Sequence, residues 1–171
     1  MRTSLTLITT VTAALAAGLM TAGPAAAHGG DTLLRSGFEG NVPADRPGAT
    51  PTIAGVPSAG RPWVLEDNSQ VRVREDGRID VKLRGLVIEE APFNGTNPVA
   101  QVAATLVCDD MVADSTDPFD LSPEGDGRTR QHIDVPEDCD DPVVLIRGVN
   151  AATGALGGYF AFTTDEDHHH D

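Results

Sequence analysis

The sequence predicts an all-β protein, an antiparallel immunoglobulin-like β-sandwich of seven or eight strands with one disulfide; a small β-barrel is the alternative. Three observations predict this fold class. Apolar and polar residues alternate with a period of two in several short segments, and no segment beyond residue 27 shows a helical period. Clusters of Pro, Gly and Asp separate these segments about every eight to twelve positions, a spacing typical of sandwiches and barrels.

The clearest element is a hairpin over residues 71–88. Valines alternate with arginines up to Arg74, and the turn residues Glu75-Asp76-Gly77 follow. A second alternation runs from Ile79 to Arg84, and the whole element is predicted to end at Ile88. One side of the hairpin is apolar and is expected to face the core. The other side is a candidate surface for an anionic wall polymer or glycan, and its cations are Arg72, Arg74, Arg78, Lys82 and Arg84.

The remaining strands follow from shorter patterns. Residues 99–108 are rich in small and β-branched apolar side chains, which is typical of a central strand. A tight Asp109-Asp110 turn leads to a predicted partner strand over 112–116. Further strands are predicted over 32–38, 128–135, 143–146 and 158–163.

The chain divides into four predicted parts. Arg2, an apolar run and Ala25-Ala26-Ala27 form a secretory signal peptide over residues 1–27, so a secreted, extracellular protein is expected. A Pro- and Gly-rich N-terminal segment covers 28–60, and the β-sandwich domain covers 61–164. Residues 165–171 form an acidic, histidine-containing tail.

The two cysteines, Cys108 and Cys139, are expected to form a disulfide, because an exported chain meets an oxidising environment. Acidic residues flank both cysteines. Pairing would therefore bring six carboxylates around one bond, a group here called the acidic rim. Its members are Asp109, Asp110, Glu137, Asp138, Asp140 and Asp141.

The charge balance restricts the partners. The chain has 12 basic and 26 acidic side chains and a net charge of −14, which argues against nucleic acid or an anionic membrane as the main partner. An anionic cell-wall polymer or another extracellular protein is compatible with local basic patches. The protein is expected to be a monomer.

Several short sequence segments, in a fixed order, resemble those of a known group of proteins. Gly60-Arg61-Pro62-Trp63-Val64, the hairpin, the stretch from Asn97-Pro98 to Leu106-Val107-Cys108 and the later cysteine lie in a characteristic order. In this layout the chain resembles a group of uncharacterised small secreted proteins of high-GC Gram-positive bacteria. The resemblance covers about residues 61–162 and implies no activity or catalytic residue.

Catalytic motifs are missing from the sequence. It has no Gly-x-Ser-x-Gly nucleophile motif, no phosphate-binding loop and no dinucleotide fingerprint, and the predicted disulfide uses both thiols. The sequence therefore predicts a non-catalytic binding or surface-interaction module with no required cofactor.

An extracellular metal-binding protein is the alternative function. Calcium prefers six to eight oxygen ligands, which the acidic rim would supply in part. Copper is the second possibility, because His28 would become the amino terminus after signal cleavage, and His132 is the available second ring. His28 followed by Gly29 resembles the start of lytic polysaccharide monooxygenases and CopC-like carriers, whose further motifs this chain lacks.

Overall fold

A computed structural model describes residues 30–164, and ten β-strands make up their regular structure. The two strands beyond the predicted maximum are β2 and β7, which have two residues each and are too short to show alternation. The strands are β1 (Thr32–Gly37), β2 (Glu39–Gly40), β3 (Gln70–Arg74), β4 (Arg78–Leu83), β5 (Gln101–Cys108), β6 (Met111–Ser115), β7 (Phe119–Asp120), β8 (Gly127–His132), β9 (Val143–Val149) and β10 (Leu156–Phe162).

The strands form two antiparallel sheets. The first has the order β1-β3-β4-β8, and the second has the order β2-β10-β9-β5-β6 with β7 also paired to β5. Neither sheet closes on itself, so the predicted sandwich is confirmed and the barrel alternative is wrong. The pairing of β4 with β8 in one sheet and of β5 with β9 in the other matches the central strands of an immunoglobulin-like sandwich.

No helix within residues 30–164 is long and apolar enough to cross a membrane.

The predicted hairpin is confirmed as β3 and β4. Val71 pairs with Val81 and Val73 with Ile79, and all four side chains are buried on the inner side of the sheet. Gly77 closes the turn with a φ of 84°, a left-handed conformation that glycine adopts without strain. The second strand ends at Leu83 rather than near residue 88.

The predicted central strand is also confirmed. β5 pairs with β9 along one side and with β6 along the other, and every side chain from Val102 to Cys108 is buried. The turn from β5 into β6 has two left-handed residues, Asp109 at φ 50° and Asp110 at φ 62°. Two consecutive left-handed residues are characteristic of the type I′ turn, whose twist suits a hairpin.

The main core lies between the two sheets. It combines aliphatic side chains from the strands with a few aromatic ones, and the rings of Trp63 and Phe160 are stacked with their centroids 4.2 Å apart. A second, smaller cluster lies on the other side of the six-stranded sheet, where Val56 packs against Leu145 and Tyr159. The segment before β3 therefore covers the outer side of that sheet.

The N-terminal segment belongs to the sandwich. β1 pairs with β3, β2 pairs with β10, and the irregular stretch between Asn41 and Gly60 is held by Ala59 N–H, which donates to the Tyr159 carbonyl at 2.9 Å. Sandwich strands therefore begin at Thr32, inside the segment that the composition sets apart from the domain.

The predicted disulfide between Cys108 and Cys139 is confirmed. It joins the last residue of β5 to the loop between β8 and β9, and the two Cα atoms lie 5.0 Å apart. Both cysteines are buried at one end of the sandwich core. The bond therefore holds a loop to the end of the central strand.

Tyr159 provides a test of how the N-terminal segment is held. Its hydroxyl donates to the Pro51 carbonyl at 2.6 Å, and burial raises the pKa of the phenol above its ordinary value. We expect Tyr159→Phe to lower the free energy of unfolding by about 1 kcal/mol, the usual contribution of one such hydrogen bond. Denaturant titration measures this change.

The same residue predicts a dependence on alkaline pH. A phenol with a raised pKa in the folded state favours folding below the unfolded pKa of about 10, and this contribution is lost as the pH rises through the folded value. Because Tyr159 is the only tyrosine in the chain, the phenolate absorbance follows it alone. A titration midpoint at the ordinary value would contradict the burial of this hydroxyl.

Candidate anion-binding site

The outer surface of the four-stranded sheet carries most of the positive charge of residues 30–164. Side chains that alternate with the core residues of β1, β3, β4 and β8 point away from the sandwich, and seven of them are cations. We call this surface the basic face. Its cations are Arg35, Arg72, Arg74, Arg78, Lys82, Arg128 and Arg130.

The strand register sets these cations side by side. Arg35 of β1 is directly opposite Arg72 of β3, and Lys82 of β4 is directly opposite Arg128 of β8. Like charges at directly opposed positions destabilise a sheet. Asp80, which is opposite both Arg72 and Arg130, offsets part of this repulsion, and the fold holds the cations together against the rest.

Most of the basic face has no carboxylate partner. Among residues 30–164 its only ion pair joins Arg130 to Asp80, on the neighbouring strand. The other six cations have no carboxylate oxygen within 4.0 Å in this part of the chain. Their charge is available to a ligand.

The cations elsewhere in the described chain all have partners. Arg46 pairs with Glu90, and this hydrogen bond lowers the pKa of the Glu90 carboxyl below its usual value. Arg61 lies over the Phe93 ring at 5.4 Å. Arg84 pairs with Asp126, and Arg147 donates to backbone carbonyls. Arg61 and Arg147 thus also lack a carboxylate within 4.0 Å, so six of the eight such cations within residues 30–164 lie on the basic face.

The basic face is also partly preorganised. Arg72 donates from Nη2 and Nε to the Thr32 hydroxyl at 2.6 and 3.1 Å, which fixes the orientation of its guanidinium. Arg74 Nε is buried without a hydrogen-bond partner among the described residues. A shallow cavity of about 500 Å³ lies on this face, and its charged lining residues are Asp80 and six cations, Arg35, Arg72, Arg74, Lys82, Arg128 and Arg130.

The structure places the five cations of the predicted hairpin surface differently. Arg72, Arg74, Arg78 and Lys82 lie on the basic face, whereas Arg84 lies beyond the end of β4 and is engaged by Asp126. The hairpin alone does not include Arg35, Arg128 and Arg130. The alternation of β8 is visible in the sequence, but its position beside β4 depends on a pairing across more than 40 residues.

The acidic rim lies at the end of the sandwich. The disulfide brings the β5–β6 turn near the loop that holds Glu137 and Asp140, and this loop lines a cavity with Leu33 and Glu75. All six rim carboxylates belong to exposed residues. Within residues 30–164 none of them forms an ion pair, so the basic face does not neutralise the rim.

The predicted metal sites have no geometric support in the described chain. No group of three or more His, Cys, Asp or Glu side chains within residues 30–164 is arranged to hold a metal ion. The rim carboxylates therefore share an end of the molecule without converging on one point. His28, the signal peptide over 1–27 and the tail over 165–171 lie outside the described residues.

Fold and site together define a class, a disulfide-linked β-sandwich with a basic outer sheet on an otherwise acidic chain. Comparison of the chain with protein-family models, with curated proteins and with solved structures finds no match.

Proposed function

We propose that this chain is a secreted, non-catalytic binding module whose basic face takes an extended anionic polymer, such as an anionic polymer of a bacterial cell wall. The observation that carries the proposal is the concentration of cations without a carboxylate partner. Within residues 30–164 eight cations have none, and six of these eight lie together on the basic face. A ligand anion would supply the missing charge.

The dimensions of the basic face favour a polymer over a single small anion. Its cations occupy four adjacent strands, which span about 14 Å across the sheet at the usual strand spacing. Along each strand, outward positions recur about every 7 Å. One phosphate or carboxylate would contact only two or three of these side chains, whereas a chain of anionic groups would contact most of them.

The chemistry of the basic face favours recognition by charge. Six of the seven cations are arginines, whose planar forks bind phosphate and carboxylate oxygens in pairs. None of the outward positions on β1, β3, β4 and β8 carries Phe, Tyr or Trp, the side chains on which bases and sugars stack. The polymer's charged backbone is thus the part that would be bound.

Export agrees with the same proposal. The predicted signal peptide precedes the described residues, and a structural disulfide persists in oxidising compartments. A protein released from the cell would meet wall polymers at once.

A pair of matched double variants tests the proposal. With short-chain inorganic polyphosphate as the probe, Arg72→Ser with Arg128→Ser should weaken binding roughly 100-fold, about ten-fold for each charge-assisted hydrogen bond that the ligand can no longer form. Arg46→Ser with Arg61→Ser changes the net charge equally but lies off the basic face, and should change binding less than about two-fold. Isothermal titration at near-physiological salt measures both.

Stability separates loss of binding from loss of fold. The Arg72→Ser and Arg128→Ser variant should stay within about 1 kcal/mol of the parent in free energy of unfolding, because relief of the repulsion from Arg35 and Lys82 offsets the lost contacts of Arg72 with Thr32 and Asp80. Equal weakening by the two double variants would show that only net charge matters and would refute the site. Sedimentation with cell walls, before and after removal of their anionic polymers, then identifies the natural ligand class.

A further inference from the structure

The basic face has a second candidate ligand within the same chain. We propose that the acidic segment over residues 165–171 binds the basic face and competes there with external anions. The contact itself is independent of the proposed function, and only the competition depends on it.

The position of Thr164 is the first support. The Ser36 hydroxyl, buried in β1, donates to the Thr164 carbonyl at 2.8 Å. Ser36 is adjacent to Arg35, which lies on the basic face and opposite Arg72. Because Ser36 is opposite the buried Val71, its side chain points inward, so the acidic segment begins on the inner side of the edge strand β1 and has to pass round that edge to reach the basic face.

The length of the segment is the second support. Seven residues reach about 23 to 25 Å when extended, whereas the four strands span about 14 Å. Lys82 is two strands away from β1, about 10 Å, and three residues of extended chain cover that distance. Passing round the edge of the sheet adds about 5 Å, half the usual spacing between sheets, and the long Lys82 side chain spans about that length. The first three residues of the segment can therefore come within reach of Lys82.

Charge is the third support. The segment begins Asp165-Glu166-Asp167, three consecutive carboxylates, and Asp171 adds a fourth. The acidic rim, by contrast, is held at the end of the sandwich by the disulfide and the loops around it. Of the two acidic groups, the segment after Thr164 is the one that starts beside unpaired arginines.

The single lysine of the chain permits a specific test. Lys82 lies on the basic face, so a carbodiimide, which joins amines to carboxylates, can couple side chains within this protein only through Lys82. We expect mass spectrometry of the full chain to find Lys82 linked to Asp165, Glu166 or Asp167. High salt should suppress the link.

A charge-neutral variant and a matched control complete the cross-linking test. Asp165→Asn, Glu166→Gln and Asp167→Asn together should abolish the link, whereas replacing His168, His169 and His170 with alanine should leave it. Coupling of Lys82 only to Asp80 or Asp126 in the full chain would overturn the inference, as would a link that forms only between molecules.

Competition is measured separately. A chain that ends at Thr164 should bind short-chain inorganic polyphosphate about five-fold more tightly than the full chain, since a tethered competitor acts at high effective concentration. A link without any polyphosphate binding would support the contact and refute the proposed function. Equal binding by both chains with no link would refute the contact and leave the proposed function standing.

Discussion

Replacing Cys108 and Cys139 with serine is expected to lower the free energy of unfolding by about 3 to 4 kcal/mol, the contribution of closing a loop with a sequence separation of 31 in the chain-entropy model. Because a typical domain has only about 5 to 15 kcal/mol in total, the variant should unfold far more easily than the parent. Urea titration of both proteins measures the difference.

Reduction of the parent protein is the control for the disulfide prediction. Dithiothreitol should shift the unfolding midpoint of the parent to that of the double-serine variant and leave the variant unchanged. If the parent and variant unfold at the same urea concentration without reductant, the loop between β8 and β9 does not depend on the bond for its position.

Replacing Gly125 with alanine is expected to lower the free energy of unfolding by about 3 kcal/mol or more. Gly125 has a φ of 81°, and an added Cβ would lie 2.3 Å from the Leu86 backbone nitrogen. Left-handed strain contributes about 1 to 2 kcal/mol, and forcing two backbone segments apart adds about 1 to 3 kcal/mol. Thermal or urea unfolding measures the loss.

Gly154 provides the matched control for that substitution. It has a similar φ of 71°, but an added Cβ would have no atom within 4 Å. Gly154→Ala should therefore cost only the left-handed strain, about 1 to 2 kcal/mol. Equal losses at the two positions would show that the backbone around residue 125 and Leu86 can relax.

Local patterns predict the strands well where alternation is long. The hairpin of β3 and β4 is visible through its alternation, β5 through a continuous apolar run, and β6 through the tight turn that joins it to β5. β2 and β7 are invisible because two residues contain no periodicity. Their pairing is decided by distant strands.

Only part of the basic face can be predicted from the sequence, because the rest depends on pairing between distant strands. Arg72, Arg74 and Lys82 lie on one hairpin, so the sequence places them together. Arg35 and Arg128 join them through pairings of β1 with β3 and of β8 with β4. Neither pairing follows from local propensity, since sheet order depends on how the whole chain packs.

In the disulfide region the bond itself is predictable from the sequence, whereas the arrangement of the surrounding carboxylates is not. The pairing of Cys108 with Cys139 follows from two cysteines and a predicted signal peptide, but the position of the carboxylates around the bond depends on turn geometry. Asp109 and Asp110 have a left-handed backbone conformation and are exposed at the tip of a hairpin. Carboxylates that flank two bonded cysteines in the sequence therefore need not lie close to one another in the structure.

The basic face concentrates positive charge on one surface of an acidic chain. At physiological ionic strength the Debye length is about 8 Å, which is shorter than the width of about 14 Å that the basic face spans across its four strands. A charged surface would therefore sense whichever part of the protein is nearest rather than its net charge of −14. If the basic face binds a polyanion as proposed, the protein would adsorb with that face toward the polymer and form an oriented layer.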